Sequence, residues 1–157
     1  MENTASKSTL SADGISEETA KALVEKAFDM LNFSYVPYSN YHVGAALLTD
    51  DGKIYTGCNI ENAAFTPTNC AERTAFFKAV SEGVYNFKAI AIVGGPKKKV
   101  TDYCAPCGVC RQVMREFCNL DFKIILAKTK NDWIVKTLDE ILPLSFKPEG
   151  EIGQTAD

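Results

Sequence analysis

Cys70-Ala71-Glu72-Arg73 sets a potential metal thiolate two residues from a carboxylate, where a loop gives way to an apolar-periodic stretch. Alone the segment is weak, because the chain holds six cysteines and a Glu in the first turn of a helix is ordinary compensation of the helix dipole. Pro106-Cys107-Gly108-Val109-Cys110 supplies two further thiols, again where a helix is expected to start. Together the segments offer three soft ligands and one carboxylate that is not needed as a ligand. Three protein ligands with a fourth position left for water compose a catalytic zinc site, whereas a structural site closes all four. Cys104 keeps the closed alternative in play, since Cys104-Ala105-Pro106-Cys107 is itself a C-x-x-C. Cys107 and Cys110 are preferred because Pro106 and the helix beyond it fix them on one rigid turn. Cys58 and Cys118 read as packed thiols, cysteine being among the residue types most often buried.

Helix N-termini favour anions by about 0.3–1 kcal/mol and lower thiol pKa values, so Cys70 and Cys107 stand where thiolates form. Three thiolates around a divalent zinc leave a net negative core, which blunts the metal's power to acidify water toward a pKa of about 7. A positive group must compensate. Arg73 lies three residues from Cys70 on the same helical face, and its forked donors suit thiolate sulfurs. Glu72 beside an activated water could accept its proton and pass it on, general acid/base work worth about 10²–10⁴ in rate. Without the C-x-x-C it would be no more than a helix-start Glu. His42, the only histidine, is far in sequence from the cysteines and reads as structural.

The elements that hold these residues follow from composition and periodicity. With 157 residues and 46% hydrophobic content the chain suits one domain, expected over 15–148, with polar tails at 1–14 and 149–157 expected to be disordered. A net charge of -3 removes the broad attraction that drives nucleic-acid binding. No apolar run approaches the roughly 18 residues of a membrane span, and the Met1-Glu2-Asn3-Thr4 start carries no signal-like pattern. Cysteine usage well below that of disulfide scaffolds points to reduced thiols and a cytoplasmic or nuclear compartment.

Ser16 can cap a helix that begins with Glu17 and Glu18 and buries Ala20, Leu23, Val24, Ala27, Phe28 and Leu31 at i, i+3, i+4, i+7 spacing. Pro37 ends that periodicity. Val43–Thr49 and Lys53–Cys58 flank Asp50-Asp51-Gly52 and form a hairpin. Gly44, Ala45 and Ala46 within an otherwise apolar strand indicate close approach of a helix or a ligand. The Cys70 helix should bury Ala71, Ala75, Phe76, Ala79 and Val80 and stop at Gly83. Phe87–Val93 is apolar on both faces, as a strand covered on both sides should be. Lys97-Lys98-Lys99 reads as a solvated turn. The second cysteine helix, to about Cys118, turns Val109, Val113, Met114 and Phe117 inward. Lys123–Ala127 and Trp133–Thr137 are separated by too few residues for a parallel crossover, so they pair antiparallel. A short helix, Leu138–Leu142, ends at Pro143. The expected fold is a three-layer α/β/α sandwich on a mixed five-stranded sheet.

Tyr38-Ser39-Asn40-Tyr41-His42-Val43-Gly44-Ala45-Ala46-Leu47, Gly57-Cys58-Asn59-Ile60-Glu61-Asn62-Ala63, Cys70-Ala71-Glu72-Arg73-Thr74-Ala75 and Pro106-Cys107-Gly108-Val109-Cys110-Arg111-Gln112 closely resemble, in order, the motifs of the small free-nucleoside cytidine deaminases. The likeness runs from about Ser16 to Pro148. Zinc deaminases carry an H-x-E and P-C-x-x-C signature, and the Cys70 that stands in place of His resembles the tetrameric nucleoside branch. The resemblance implies one zinc per subunit held by Cys70, Cys107 and Cys110. It implies that Glu72 carries protons as water attacks C4 of cytidine or 2′-deoxycytidine and ammonia leaves, in pyrimidine salvage. It implies ribose contacts from Asn59 and Glu61, a backbone contact to the base from Ala71, and a ring near the base from Tyr41, where the family commonly has Phe. Where the family commonly has Pro stands His42. Phe65 and Phe146 resemble aromatics that complete a neighbouring subunit's active site in a homotetramer. A nucleic-acid editor of the same superfamily is disfavoured by the acidic charge, by Cys at position 70 and by the short link between the last two strands. A cytosine-bearing antibiotic as substrate is disfavoured by Asn59 and Glu61.

Overall fold

The computed structural model of the chain describes residues 14–147, so the expected tails, Gly14 apart, lie outside the described residues. The elements run α1 (Glu17–Met30), β1 (Tyr41–Thr49), β2 (Ile54–Cys58), α2 (Ala71–Ser81), β3 (Phe87–Pro96), α3 (Gly108–Phe117), β4 (Lys123–Thr129), β5 (Asp132–Thr137) and α4 (Leu138–Ile141). The five strands form one mixed sheet in the order β2-β1-β3-β4-β5, parallel between β3 and β4 and antiparallel elsewhere. The single parallel pair is joined through α3, while β4 turns back into β5 through a link too short for anything but antiparallel pairing.

Alternation along the strands builds two cores. Ala89, Ala91 and Val93 of β3 face α1 together with Ala46, Leu48, Ile125 and Ala127. Ile90 and Ile92 face α2 and α3 with Ala45, Leu47, Ile124 and Leu126. Each large side chain buried here contributes about 1.5–3 kcal/mol. Ser16 caps α1, its Oγ accepting from the Thr19 amide at 3.1 Å. Gly44 explains how closely that helix approaches: a Cβ there would stand 2.0 Å from the Ala27 carbonyl oxygen.

On the other face Phe76 is fully buried, its ring 4.9 Å from Phe87 and 6.1 Å from Phe117. Gly57 plays the part of Gly44 for α2, since a Cβ on it would meet the Ala71 carbonyl oxygen at 2.2 Å. Gly52, at φ +89°, closes the β1–β2 hairpin, and Gly83, at φ +80°, follows the end of α2. Three inward assignments change. Val109 is exposed because Cys110, Val113, Met114 and Phe117 take the i, i+3, i+4, i+7 stripe of α3 and leave it off that face. Val80 and Phe28 are only partly buried. The lysines at 97–99 are exposed, with Lys98 donating to Asn32 Oδ1 at 3.2 Å.

Candidate metal centre and active site

Cys70 and Cys107 occupy the N-cap positions of α2 and α3, and neither sulfur makes a capping bond to a backbone amide of its helix. The two sulfurs are 3.8 Å apart, and with Cys110, one turn into α3, all three lie within 4.8 Å of one another. Zinc–sulfur bonds of about 2.3 Å at tetrahedral angles separate sulfurs by about 3.8 Å, so the donor set fits zinc. No other cluster of three His, Cys, Asp or Glu groups occurs among the described residues, and Cys104 stands outside this one. Cys110 is buried, Cys70 half-buried and Cys107 exposed, so the trio opens toward solvent on one side. Cys58 and Cys118 are buried in packing, as expected of them.

The sulfurs already sit in a proton-sharing arrangement. The Cys70 thiol is pulled down to about 5 because Cys110 hydrogen-bonds its sulfur, with the Arg73 guanidinium adding to the effect. Cys110 is pushed up by that same bond and by burial. A cation entering here displaces the proton that Cys110 keeps. Arg73 donates through Nη2 to Cys70 Sγ at 3.3 Å, where a compensating charge is needed, and its buried Nε has no hydrogen-bond partner.

Glu72 is 4% exposed at the first turn of α2. Burial, with the Cys70 charge adding, pushes its carboxyl up to about 7. A carboxyl so placed can both accept and release a proton near neutral pH, and a bound dication would favour its charged form. Ala71 is fully buried beside it. Cys104, also burdened by burial and by the Glu72 charge, is pushed up to about 11 and stays a thiol.

Asn59 ties the end of β2 to the start of β1. Its Oδ1 accepts from the Val43 amide at 2.9 Å and its Nδ2 donates to the Tyr41 carbonyl at 2.8 Å. Glu61 accepts from the Tyr38 and Ser39 amides at 2.9 and 3.2 Å and from the Ser39 hydroxyl, which hold its carboxyl below the usual range. Phe65, at φ +60° and exposed, pairs its ring with Tyr38 at 6.2 Å and borders a cavity of about 390 Å³ with Glu61 and Thr68. Phe146 is equally exposed, its carbonyl accepting from Gln112 Nε2 at 3.0 Å. His42 bridges the Leu31 carbonyl and Asn40 Oδ1, the structural use expected of it. A roomier cavity of about 500 Å³, between the start of α1 and the β1–β2 hairpin, gathers no comparable set of reactive groups.

Supporting residues emerge that spacing did not single out. Ser39 holds Glu61, as above. Arg111 clamps the loop before Cys107, donating through Nε to the Pro106 carbonyl at 2.7 Å and through Nη1 to the Ile141 carbonyl. Thr74 joins the helix start to β2 by donating to the Cys58 carbonyl at 3.0 Å. A polar residue one position past a ligand is a usable signal in the sequence; the loop partner of Glu61 is not.

Residues 17–126 match the family described as the cytidine and deoxycytidylate deaminase zinc-binding region. The chain is 54% identical over 116 residues to a cytidine deaminase of Sporosarcina psychrophila, covering 74% of this chain and 82% of that one. It is 48% identical over 127 residues to the cytidine deaminase of Halalkalibacterium halodurans, covering 81% and 93%. The crystal structure of cytidine deaminase from Burkholderia pseudomallei superposes with a TM-score of 0.73 at 44% identity, covering 80% of this chain and 97% of that one.

Proposed function

From the premise that this chain belongs to the cytidine and deoxycytidylate deaminase family, we propose how its own residues deaminate cytidine and 2′-deoxycytidine to uridine and 2′-deoxyuridine with release of ammonia. Cys70, Cys107 and Cys110 hold one zinc, which when bound supplies the Lewis acidity that lets water act as a nucleophile near neutral pH. Glu72 takes one proton of the attacking water and delivers it to N3 of the base, then carries the remaining proton from the new C4 hydroxyl to the amine, which departs as ammonia as the C4 carbonyl forms and the C4–N bond breaks. Its burial beside the thiolates keeps both protonation states within reach. Arg73 offsets the surplus negative charge of three thiolates.

Asn59 and Glu61 bind the ribose, each retaining hydrogen-bonding capacity beyond its bonds to the 38–43 segment. Ala71 meets the base through its backbone, and the Tyr41 ring lies along it. Phe65 and Phe146, both 75% exposed, reach the active sites of neighbouring subunits in a homotetramer. The domain spans 15–148, and the enzyme works in the cytoplasm, in pyrimidine salvage. The observation that carries the reading is the trio of sulfurs with a buried carboxyl beside them, on the first turn of the helix that Cys70 caps. Ultraviolet assays of purified protein with cytidine, cytidine monophosphate and a short oligonucleotide, side by side, test it: cytidine is consumed and the other two are not. Turnover of the oligonucleotide, or of none of the three, would end it.

A further inference from the structure

Tyr41 and Cys104 close over Gly94, a residue of β3 that carries no side chain. A Cβ built on Gly94 would stand 2.7 Å from Cys104 Sγ, 3.2 Å from Cys104 Cβ and 3.2 Å from Tyr41 Cε1, so the space that glycine vacates is the space in which these two side chains meet. The two side chains also act on one another: the Tyr41 hydroxyl is pushed up to about 12, by burial first and then by the Cys104 sulfur beside it, while Tyr41 partly offsets the rise that burial and the Glu72 charge impose on Cys104. At its other end Tyr41 is held through its carbonyl by Asn59 Nδ2 at 2.8 Å. The Tyr41 backbone is thus held by the strand end that carries Asn59, and its ring meets the loop that leads into Cys107. Cys104 also feels the charges of Glu72 and Cys70, which places this contact at the edge of the metal centre.

Cys104 is not one of the clustered sulfurs. We propose that Cys104 is a positioning residue for nucleoside binding, fixing the Tyr41 ring as a wall of the base site through the contact the two make over Gly94. This rests on the deaminase reading and adds to it a residue that sets affinity for substrate and takes no part in proton transfer. A phenylalanine at position 41 would keep the ring and lose its anchor. A side chain at 94 would drive both partners apart.

The test compares Cys104→Ala, Cys104→Ser, Tyr41→Phe and the Tyr41→Phe/Cys104→Ala double variant with the wild type, all zinc-loaded. Cys104→Ala and Tyr41→Phe each raise KM for cytidine several-fold, change kcat by less than about two-fold and retain one zinc per chain, the pattern of lost binding that is common to ground and transition states. Cys104→Ser, which keeps an acceptor for the hydroxyl, restores KM toward the wild-type value. The double variant is no worse than the poorer single one, because both remove the same contact. Wild-type KM in both single variants, multiplied effects in the double, or losses that track a fall in bound zinc or in Tm would each overturn the positioning role. A zinc-loaded wild type that leaves cytidine intact would instead end the deaminase reading itself, and this inference with it.

Discussion

Glu72 is the residue on which chemistry separates most cleanly from folding. Glu72→Gln keeps the shape and fills the same buried site with a group that cannot carry a proton. Zinc content and far-ultraviolet circular dichroism stay at wild-type values, and turnover falls by about 10²–10⁴ or more. Near-normal activity would remove its assigned role. Cys104 gives the complementary result: because its sulfur lies outside the cluster of three, Cys104→Ser keeps a full complement of zinc, whereas Cys110→Ser loses it. The thiols also set a pH limit. Cys70 is already pulled down to about 5, but Cys110 is held protonated by its bond to Cys70, so metal binding releases a proton. Acidification therefore favours protonated thiols over bound metal. A colorimetric zinc indicator should report progressive release as the pH is lowered from neutrality toward about 5, with activity lost in parallel.

At the scale of elements, two glycines in neighbouring strands make a matched experiment. Gly44 lets α1 lie on β1 and Gly57 lets α2 lie on β2, each with a helix carbonyl where a Cβ would be. Gly44→Ala and Gly57→Ala both cost about 1–3 kcal/mol through overpacking, read from denaturant midpoints. They diverge at the metal: α2 carries Cys70 and Glu72, so Gly57→Ala weakens zinc retention and Gly44→Ala does not. Equal zinc affinity in the two variants would show that α2 yields without moving its first turn. The small residues of β1 are legible in the sequence as a close approach, though not which partner approaches. Helix and strand positions follow from periodicity, and the antiparallel β4–β5 return follows from link length alone. Spacing put Cys70, Glu72, Arg73, Cys107 and Cys110 at two helix starts, and α2 and α3 begin there, with the three sulfurs drawn together. Val109 misled because an apolar residue in a first turn satisfies the pattern even where the stripe begins one residue later. The partners of Glu61 and Tyr41 lie 22 and 63 residues away, or arise only when a third strand closes between them, and no local pattern encodes such meetings.

At the scale of the molecule, one chain leaves a good deal of apolar surface uncovered. Phe33, Tyr35, Phe65, Leu144 and Phe146 are each more than half exposed. Light scattering should report a mass about four times 17.2 kDa, and Phe146→Ala should reduce turnover in the assembled protein. A monodisperse, fully active monomer would remove the tetramer. The acidic balance carries its own expectation: no shift of single-stranded nucleic acid in a gel at physiological salt. The sulfurs of Cys70 and Cys107 meet across 37 residues of chain, a stretch that includes β3, the strand that pairs with β1 on one side and β4 on the other. During synthesis the first cysteine therefore leaves the ribosome long before its companions, and a chain halted ahead of position 107 has nothing with which to grip the ion. The complete set of sulfur donors exists only once both cysteine segments have been made, and cells starved of zinc should accumulate full-length chain whose purified form lacks the ion.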